Sequence, residues 1–489
     1  MGAHLPVAPK EMEVDRMANT HQVRNPFTGE MDYILRSAPA DEVKASIARL
    51  RAGQPAWAAL GVKKRIDVLK LWASALKDRE SEIIAALSAD TGRRAIAKSE
   101  VDGVIASIDR WATVAEAVLK PASKPASAFP DVEIITDGDP FPVVGAISPW
   151  NFPILLSFVD STPALLAGSA VYIKPSEVTP RFAKPVAEAI EATPHLRDIL
   201  HIEPGDGATG AALVENVDVV AFTGSVATGR KVAAAAAKAF IPAFLELGGK
   251  DPSIVLAGAD IDRATTAILR ASVVATGQAC QSLERLYVSE EIFDDFVEAL
   301  VAKARATTLT IDDPDSGIIG PLIFEKQAEI IAEHIADARS KGANILSGGE
   351  IRRDGGVWIA PTIVTNVNHT MRLLSEETFG PVMPVMPFKT IDEAVALAND
   401  TRYGLSASVF AASVEEALAV GRRIDAGGVS INDAGLTSFI FDGEKSAYKQ
   451  SGMGPSRMGP SGVTRFLRRK SYYINRGDVM PIHIFGERP

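Results

Sequence analysis

The chain is 489 residues long, more than one ordinary core can organise, so two or three packed units are expected. Hydrophobic residues make up 47% and charged residues 23%, a balance that fits a soluble globular protein and excludes a disordered one. The net charge of -10 argues against a nucleic-acid partner, because phosphate binding needs a basic face.

In chain order, the first ~20 residues read as an irregular arm without an apolar run of signal-peptide length. Gly2 is followed by Pro6, where a myristoylation signal needs Ser or Thr. Helical periodicity governs Ala40 to Val118, as in Ile66, Leu69, Trp72 and Leu76. The Pro/Ser-rich stretch from Pro121 to Pro130 interrupts it and leads into a short strand expected at Val132 to Ile135. From Phe141 onward, β-branched runs alternate with helical patterns. The runs are Val143 to Ile147, Ala170 to Lys174, Ile199 to Glu203 and Val217 to Phe222; the helices include Arg181 to Ala192 and the alanine-rich Arg230 to Phe240. This alternation predicts a parallel sheet covered on both faces. It restarts at Ser253 and continues past Arg285 to Val288, which puts a second α/β unit after Gly248-Gly249.

No window approaches the ~18 uninterrupted apolar residues needed to span a bilayer. A cytoplasmic protein without a membrane partner is therefore expected. One cysteine leaves no internal disulfide. The seven histidines are scattered singly, so no metal site is expected.

Four local features bear on chemistry. Cys280 lies in Gly277-Gln-Ala-Cys-Gln-Ser. A lone free cysteine is more often a small buried hydrophobe than a nucleophile, but these neighbours are polar and flexible. Glu246 lies in Phe244-Leu-Glu-Leu-Gly-Gly-Lys250. It reads either as a strand-end carboxylate paired with Lys250 or as a partly desolvated general base. Asn151 sits in Pro149-Trp-Asn-Phe-Pro153, where two prolines fix the backbone. That segment is a rigid turn or an amide donor for an oxyanion. Gly224 and Ser225, in Phe222-Thr-Gly-Ser-Val-Ala-Thr-Gly229, lie at a strand-to-helix junction suited to phosphate oxygens. The next residues, Arg230-Lys231, do not complete a phosphate-binding P-loop, and the G-x-G-x-x-G spacing of the ordinary dinucleotide turn is absent.

Together these segments resemble the aldehyde dehydrogenase superfamily. The markers run in the family's order: Pro149 to Pro153, Lys174-Pro-Ser-Glu177, Phe222 to Ser225, Leu245 to Gly249 and Gly277 to Cys280. Glu376-Glu-Thr-Phe-Gly-Pro381, Tyr403-Gly-Leu405 and Lys449-Gln-Ser-Gly452 follow. The resemblance spans about residues 20 to 475. It implies an α/β fold with a Rossmann-type dinucleotide-binding domain (1–120 and 141–248), a second α/β catalytic domain (249–449) and a small β oligomerisation element (121–140 and 467–489).

It also implies a reaction: oxidation of a small-molecule aldehyde to the acid with NAD, NADP being the alternative cofactor. Cys280 would be the nucleophile, Asn151 an oxyanion donor and Glu246 the base that activates water. Members that pass the acyl group to coenzyme A generally lack this base, so hydrolysis is expected. Lys174, Ser176 and Glu177 resemble the contacts to the adenine ribose, and a carboxylate there disfavours a 2′-phosphate. Trp150, Gly224 and Ser225 resemble the pyrophosphate contacts; Glu377 and Phe379 resemble those to the nicotinamide end. Phe152, Leu156, Val159, Phe439 and Phe441 are expected to line an apolar substrate tunnel, pointing to an apolar or aromatic aldehyde. Two segments depart from the family pattern: Phe441 to Tyr448, which is longer than usual, and the apolar tail after Asn475. A homodimer or homotetramer is expected, with Ile134-Ile135 and Lys470 to Ile474 forming a sheet whose edge needs covering.

Overall fold

A computed structural model gives the structure, which describes residues 19–126 and 128–487. Most of the expected N-terminal arm lies outside the described residues. The periodic N-terminal region folds into four helices, Ala40–Ala59, Gly61–Asp78, Glu80–Thr91 and Arg94–Val118. Ile66, Leu69, Trp72 and Leu76 recur every three or four residues and are buried, as a stripe on one helix face must be to stabilise it.

The helices pack on a six-stranded sheet. Its order is Gly452–Met453, Ala243–Glu246, Val219–Thr223, Val143–Ile147, Ala170–Lys174, Leu200–Ile202. Only the Gly452–Met453 pairing is antiparallel. Val143–Ile147, Ala170–Lys174 and Val219–Thr223 are buried at every residue, so their sequences are near-continuous apolar runs instead of alternating, with Lys174 and Thr223 polar only at the strand ends. The chain builds outward on one side of Val143–Ile147 and then on the other. Such a reversal opens a crevice at the carboxyl ends of the flanking strands. Pro149 to Pro153 and Thr223 to Ser225 both leave their strands there.

A second, seven-stranded sheet follows, ordered Asn344–Ser347, Thr362–Thr365, Val382–Phe388, Leu283–Ser289, Asp251–Val255, Ser406–Phe410, Gly428–Ile431. Asp251–Val255 enters it four residues after Ala243–Glu246 leaves the first sheet, so the Leu247 to Lys250 segment joins the two. In a third sheet, Val132–Pro140 pairs on one side with Ala122–Pro125 and on the other with Leu467–Asn475. Ile134 faces Tyr473 and Ile135 faces Tyr472, the association expected of these two distant segments.

Boundaries moved where local chemistry was overlooked. The helix expected from Arg230 begins at Val226, because Ser225 Oγ accepts the Thr228 N–H at 3.3 Å and caps it. The strand expected over Val132 to Ile135 extends to Pro140, templated by nine paired residues of Leu467–Asn475. Among the described residues, no helix is long and apolar enough to cross a membrane, and no group of three metal-ligating side chains occurs.

Candidate active site

Cys280 lies in the loop between helix Ile261–Val273 and strand Leu283–Ser289. The loop is held under strain: Ala275 and Thr276 adopt left-handed φ values of 52° and 62°, which cost side-chain-bearing residues about 1–3 kcal/mol each. Hydrogen bonds oppose that cost. Thr276 Oγ1 donates to the Gly320 carbonyl at 2.9 Å. The buried Gln278 donates to Ala275 O at 2.8 Å and accepts from Ile323 N–H at 2.8 Å. Burial pushes the Cys280 thiol up to about 12; Lys445 and Arg457 pull it down, while Asp251 and Glu377 oppose them.

Asn151 reaches this loop directly. Its Nδ2 donates to the Gln278 carbonyl at 2.9 Å, two residues before the cysteine. An amide nitrogen has two hydrogens, so one donor remains for a ligand. Arg93, fully enclosed, donates Nη2 to the Asn151 carbonyl at 2.5 Å and lies 5.4 Å from the Phe152 ring. The Pro149 to Pro153 turn is thus clamped from beneath.

Glu246 ends its strand opposite Thr223 on one side and Gly452 on the other. Gly248 and Gly249 then bring three segments into contact. A Cβ on Gly249 would collide with the Cys280 carbonyl, and one on Gly248 with the Glu377 carboxylate. The pairing of Glu246 with Lys250 raised by the sequence is not found. Lys250 Nζ instead bonds Glu284 at 2.5 Å and Thr378 Oγ1 at 3.0 Å, fully buried. Glu246 sits at a strand end, whereas Lys250 turns into the second sheet.

The other predicted cofactor residues make specific contacts. Lys174 Nζ donates to the Pro175 and Gly205 carbonyls and lies 3.9 Å from Glu177; Ser176 Oγ donates to Glu177 at 3.3 Å. Trp150 meets Phe379 edge-on at 5.4 Å. Gly224 precedes the Ser225 cap, whose 14-residue helix points its free N–H groups outward. Glu377 accepts the Gly249 N–H at 3.0 Å, and burial pushes its carboxyl up to about 8, with the nearby Glu284 charge adding to that. Phe379 adopts φ 52°, fixed by Glu284, which accepts the Thr378 and Phe379 N–H groups at 2.7 Å each. A helix N-terminus, a lysine–glutamate pair and an aromatic wall on one crevice are a donor set suited to a dinucleotide.

Phe152 and Val159 cap the short helix Pro153–Phe158, and Leu156 lies within it. Phe152 and Leu156 are half-buried and Val159 is buried. Phe441 is half-buried beneath the Arg110 guanidinium, 4.5 Å away, whereas Phe439 is 65% exposed. Its loop is tied to the cysteine loop by Thr437 and Ser438, which donate to Gln281 Oε1. Sequence reasoning missed Arg93, Gln278, Glu284 and Lys445, and also Asp160, whose buried carboxylate accepts from Arg457 at 2.6 Å. The one visible signal was Glu284-Arg285 inside an otherwise apolar strand, where charges need buried partners.

With this geometry in place, similarities to known proteins can be set beside it. The model of the Aldehyde dehydrogenase family matches residues 14–472. A Mycobacterium ulcerans protein provisionally named succinate-semialdehyde dehydrogenase [NADP(+)] 2 is 35% identical, covering 92% of this chain and 88% of its own. The structure of PutA from Anabaena variabilis, provisionally named an aldehyde dehydrogenase, superposes with a TM-score of 0.93. It is 50% identical and covers 95% of this chain and 99% of its own. A betaine aldehyde dehydrogenase from Staphylococcus aureus in complex with NAD+ gives a TM-score of 0.88 at 28% identity, covering 96% and 94%.

Proposed function

The chain belongs to the aldehyde dehydrogenase family and is an NAD(P)-dependent oxidoreductase, and from that premise we propose that it oxidises an aldehyde to the free carboxylic acid through a thioester on Cys280. The observation that carries this reading is the approach of Asn151, the Gly248-Gly249 turn after Glu246, and Glu377 to one cysteine loop. Cys280 Sγ adds to the carbonyl carbon to give a thiohemiacetal, whose oxygen the free Asn151 N–H accommodates. Lys174, Ser176, Glu177, Trp150, Gly224, Ser225, Glu377 and Phe379 would hold NAD(P)+, whose nicotinamide would serve as hydride acceptor for the oxidation of this adduct to a thioester. Glu246 then takes a proton from water, whose oxygen displaces the thiolate and releases the acid.

Glu177, beside Lys174, favours a 2′-hydroxyl over a 2′-phosphate, which supports NAD over NADP. The reading includes residues 1–120 and 141–248 as the NAD-binding unit and 249–449 as the catalytic unit. The 121–140 and 467–489 segments then serve a cytoplasmic dimer or tetramer. Phe152, Leu156, Val159 and Phe441 support an apolar or aromatic substrate. A second reading, an aldehyde carrying a carboxylate, is favoured by Arg110 over Phe441 and by the name of the mycobacterial relative.

Initial rates with both cofactors across hexanal, benzaldehyde and succinic semialdehyde decide among these. The first reading expects NAD and the neutral aldehydes to give the higher kcat/KM. A tenfold advantage for succinic semialdehyde selects the second. Single turnovers in which the acyl group leaves Cys280 only when coenzyme A is added, as acyl-coenzyme A in place of the free acid, would contradict hydrolysis altogether.

A further inference from the structure

Between Glu377 and Phe379 stands Thr378, a residue the reaction scheme leaves unused. It is fully buried, and each of its polar atoms is taken. Its N–H donates to Glu284 Oε2 at 2.7 Å. Its carbonyl accepts from Gln327 Nε2 at 2.7 Å. Its hydroxyl lies 3.0 Å from Lys250 Nζ and 3.2 Å from His334 Nδ1. These partners come from three places: the turn that joins the two large sheets, the strand Leu283–Ser289 and the helix Glu325–Ser340. Gln327 and His334 stand two turns apart on that helix, and so share the face that meets the threonine.

The chemistry of the donors orders this cluster. An ammonium has only hydrogens to offer, so Lys250 donates to Thr378 Oγ1. The threonine proton then finds its acceptor in His334 Nδ1. Were Nδ1 to carry the hydrogen instead, a buried hydroxyl would be left without an acceptor, which is costly. The imidazole is therefore neutral, with its hydrogen on Nε2, 3.6 Å from Glu376 Oε2. Burial, helped by the Lys250 and Arg372 charges, pushes His334 down to about 4, in keeping with that form. On either side of the threonine stand residues that need holding. Phe379 keeps a φ of 52°, which a side-chain-bearing residue retains only when its surroundings impose it. Glu377 reaches Gly249 N–H at 3.0 Å. Slack at Thr378 loosens both.

We infer that His334 and Thr378 are positioning residues for the nicotinamide end of the cofactor: the imidazole locks the threonine side chain to the helix, and the locked threonine fixes the backbone that presents Glu377 and Phe379. This rests on the reading of Glu377 and Phe379 as the residues that meet that end of NAD(P). Both positioning side chains are buried, so their influence reaches the cofactor through the backbone. Losing their contact weakens cofactor binding and leaves chemistry at Cys280 that needs no cofactor as it was.

Three measurements test this on the full chain: the Kd for NADH by fluorescence titration, cofactor-free hydrolysis of p-nitrophenyl acetate, and amide exchange of the Phe379 peptide without cofactor. His334→Leu and Thr378→Val are each expected to raise the NADH Kd about fivefold, the worth of one buried hydrogen bond. Both should speed exchange of the Phe379 peptide, while ester hydrolysis stays within about twofold of wild type. The double variant should bind no more weakly than Thr378→Val alone, since that substitution has already removed the contact His334 makes. His334→Asn, whose amide can stand where Nδ1 does, should recover most of the affinity. An unchanged Kd in either single variant, additive losses in the double variant, or ester hydrolysis falling in step with affinity would overturn the inference. Should His334→Leu not fold, Thr378→Val against Thr378→Ser decides. Only the valine variant should lose affinity, and equal affinities count against the inference. Phe379→Ala separates the two layers. If it binds NADH as wild type does, the assignment of the nicotinamide-end residues fails. If it binds weakly while His334→Leu and Thr378→Val keep the wild-type Kd, only the positioning role fails.

Discussion

At Cys280, opposed influences meet. Burial pushes the thiol up to about 12, while Lys445 and Arg457 pull it back. The thiolate is the reactive form, so alkylation of the free enzyme by iodoacetamide should keep climbing about tenfold per pH unit through pH 10. A plateau below pH 9 would contradict this account of the thiol. Glu377 offers a second test at the same scale. The folded chain holds its proton up to about pH 8, whereas the unfolded chain releases it near the ordinary carboxylate value. Stability is therefore fully present below that ordinary value and is lost as pH rises through 8. Glu377→Gln keeps an acceptor for the Gly249 N–H but removes the titration. Its melting temperature relative to wild type should thus rise from pH 5 to pH 8.5; a gap independent of pH would refute the assignment. Cys280, Glu246 and Asn151 could be singled out from the sequence because each sits in a short segment of unusual composition. Arg457, Asp160 and Lys445 could not. Their partners are hundreds of residues away or in the segment that departs from the family pattern, and nothing local distinguishes them from surface charges.

At the scale of elements, the parallel strands were legible because burial on both faces makes them apolar except at ends such as Lys174 and Thr223. Helix and strand ends were less so, since they depend on caps and pairing partners such as Ser225 and Leu467–Asn475. The alternative pairing of Lys250 with Glu246 fails for a related reason. Sequence proximity favoured Glu246, but the turn after Gly249 carries the lysine into the second sheet, where Glu284 waits on Leu283–Ser289. That pair ties the strand to the Thr378-Phe379 segment. Glu284→Gln leaves a buried ammonium without its counter-charge and should cost about 3–5 kcal/mol in urea unfolding. It should also weaken cofactor binding, because Phe379 loses the anchor for its left-handed backbone. A loss below about 1 kcal/mol, within the range of an exposed pair, would show that the pair holds nothing.

Across the whole molecule, the third sheet and the tail remain uncovered. Val479, Ile482 and Phe485 are 87%, 97% and 91% exposed, and the Leu467–Asn475 strand offers an unpaired edge. Apolar groups and strand edges left in water favour association. Light scattering should therefore find two or four chains per particle, and deleting residues 477–489 should lower that number or raise the KM. A truncated chain with unchanged assembly and KM would remove the tail from both roles. The association of Val132–Pro140 with Leu467–Asn475 was visible in the sequence as two apolar segments needing each other.

The account turns on a covalent acyl group at Cys280 that Glu246 is needed to release. Glu246→Gln mixed with aldehyde and NAD+ tests this in one step. It should form one NADH per active site and then stall, with the intact mass raised by the acyl group and the modification mapping to the peptide containing Cys280. Steady turnover at the wild-type rate, or a burst without a mass change at Cys280, would contradict it.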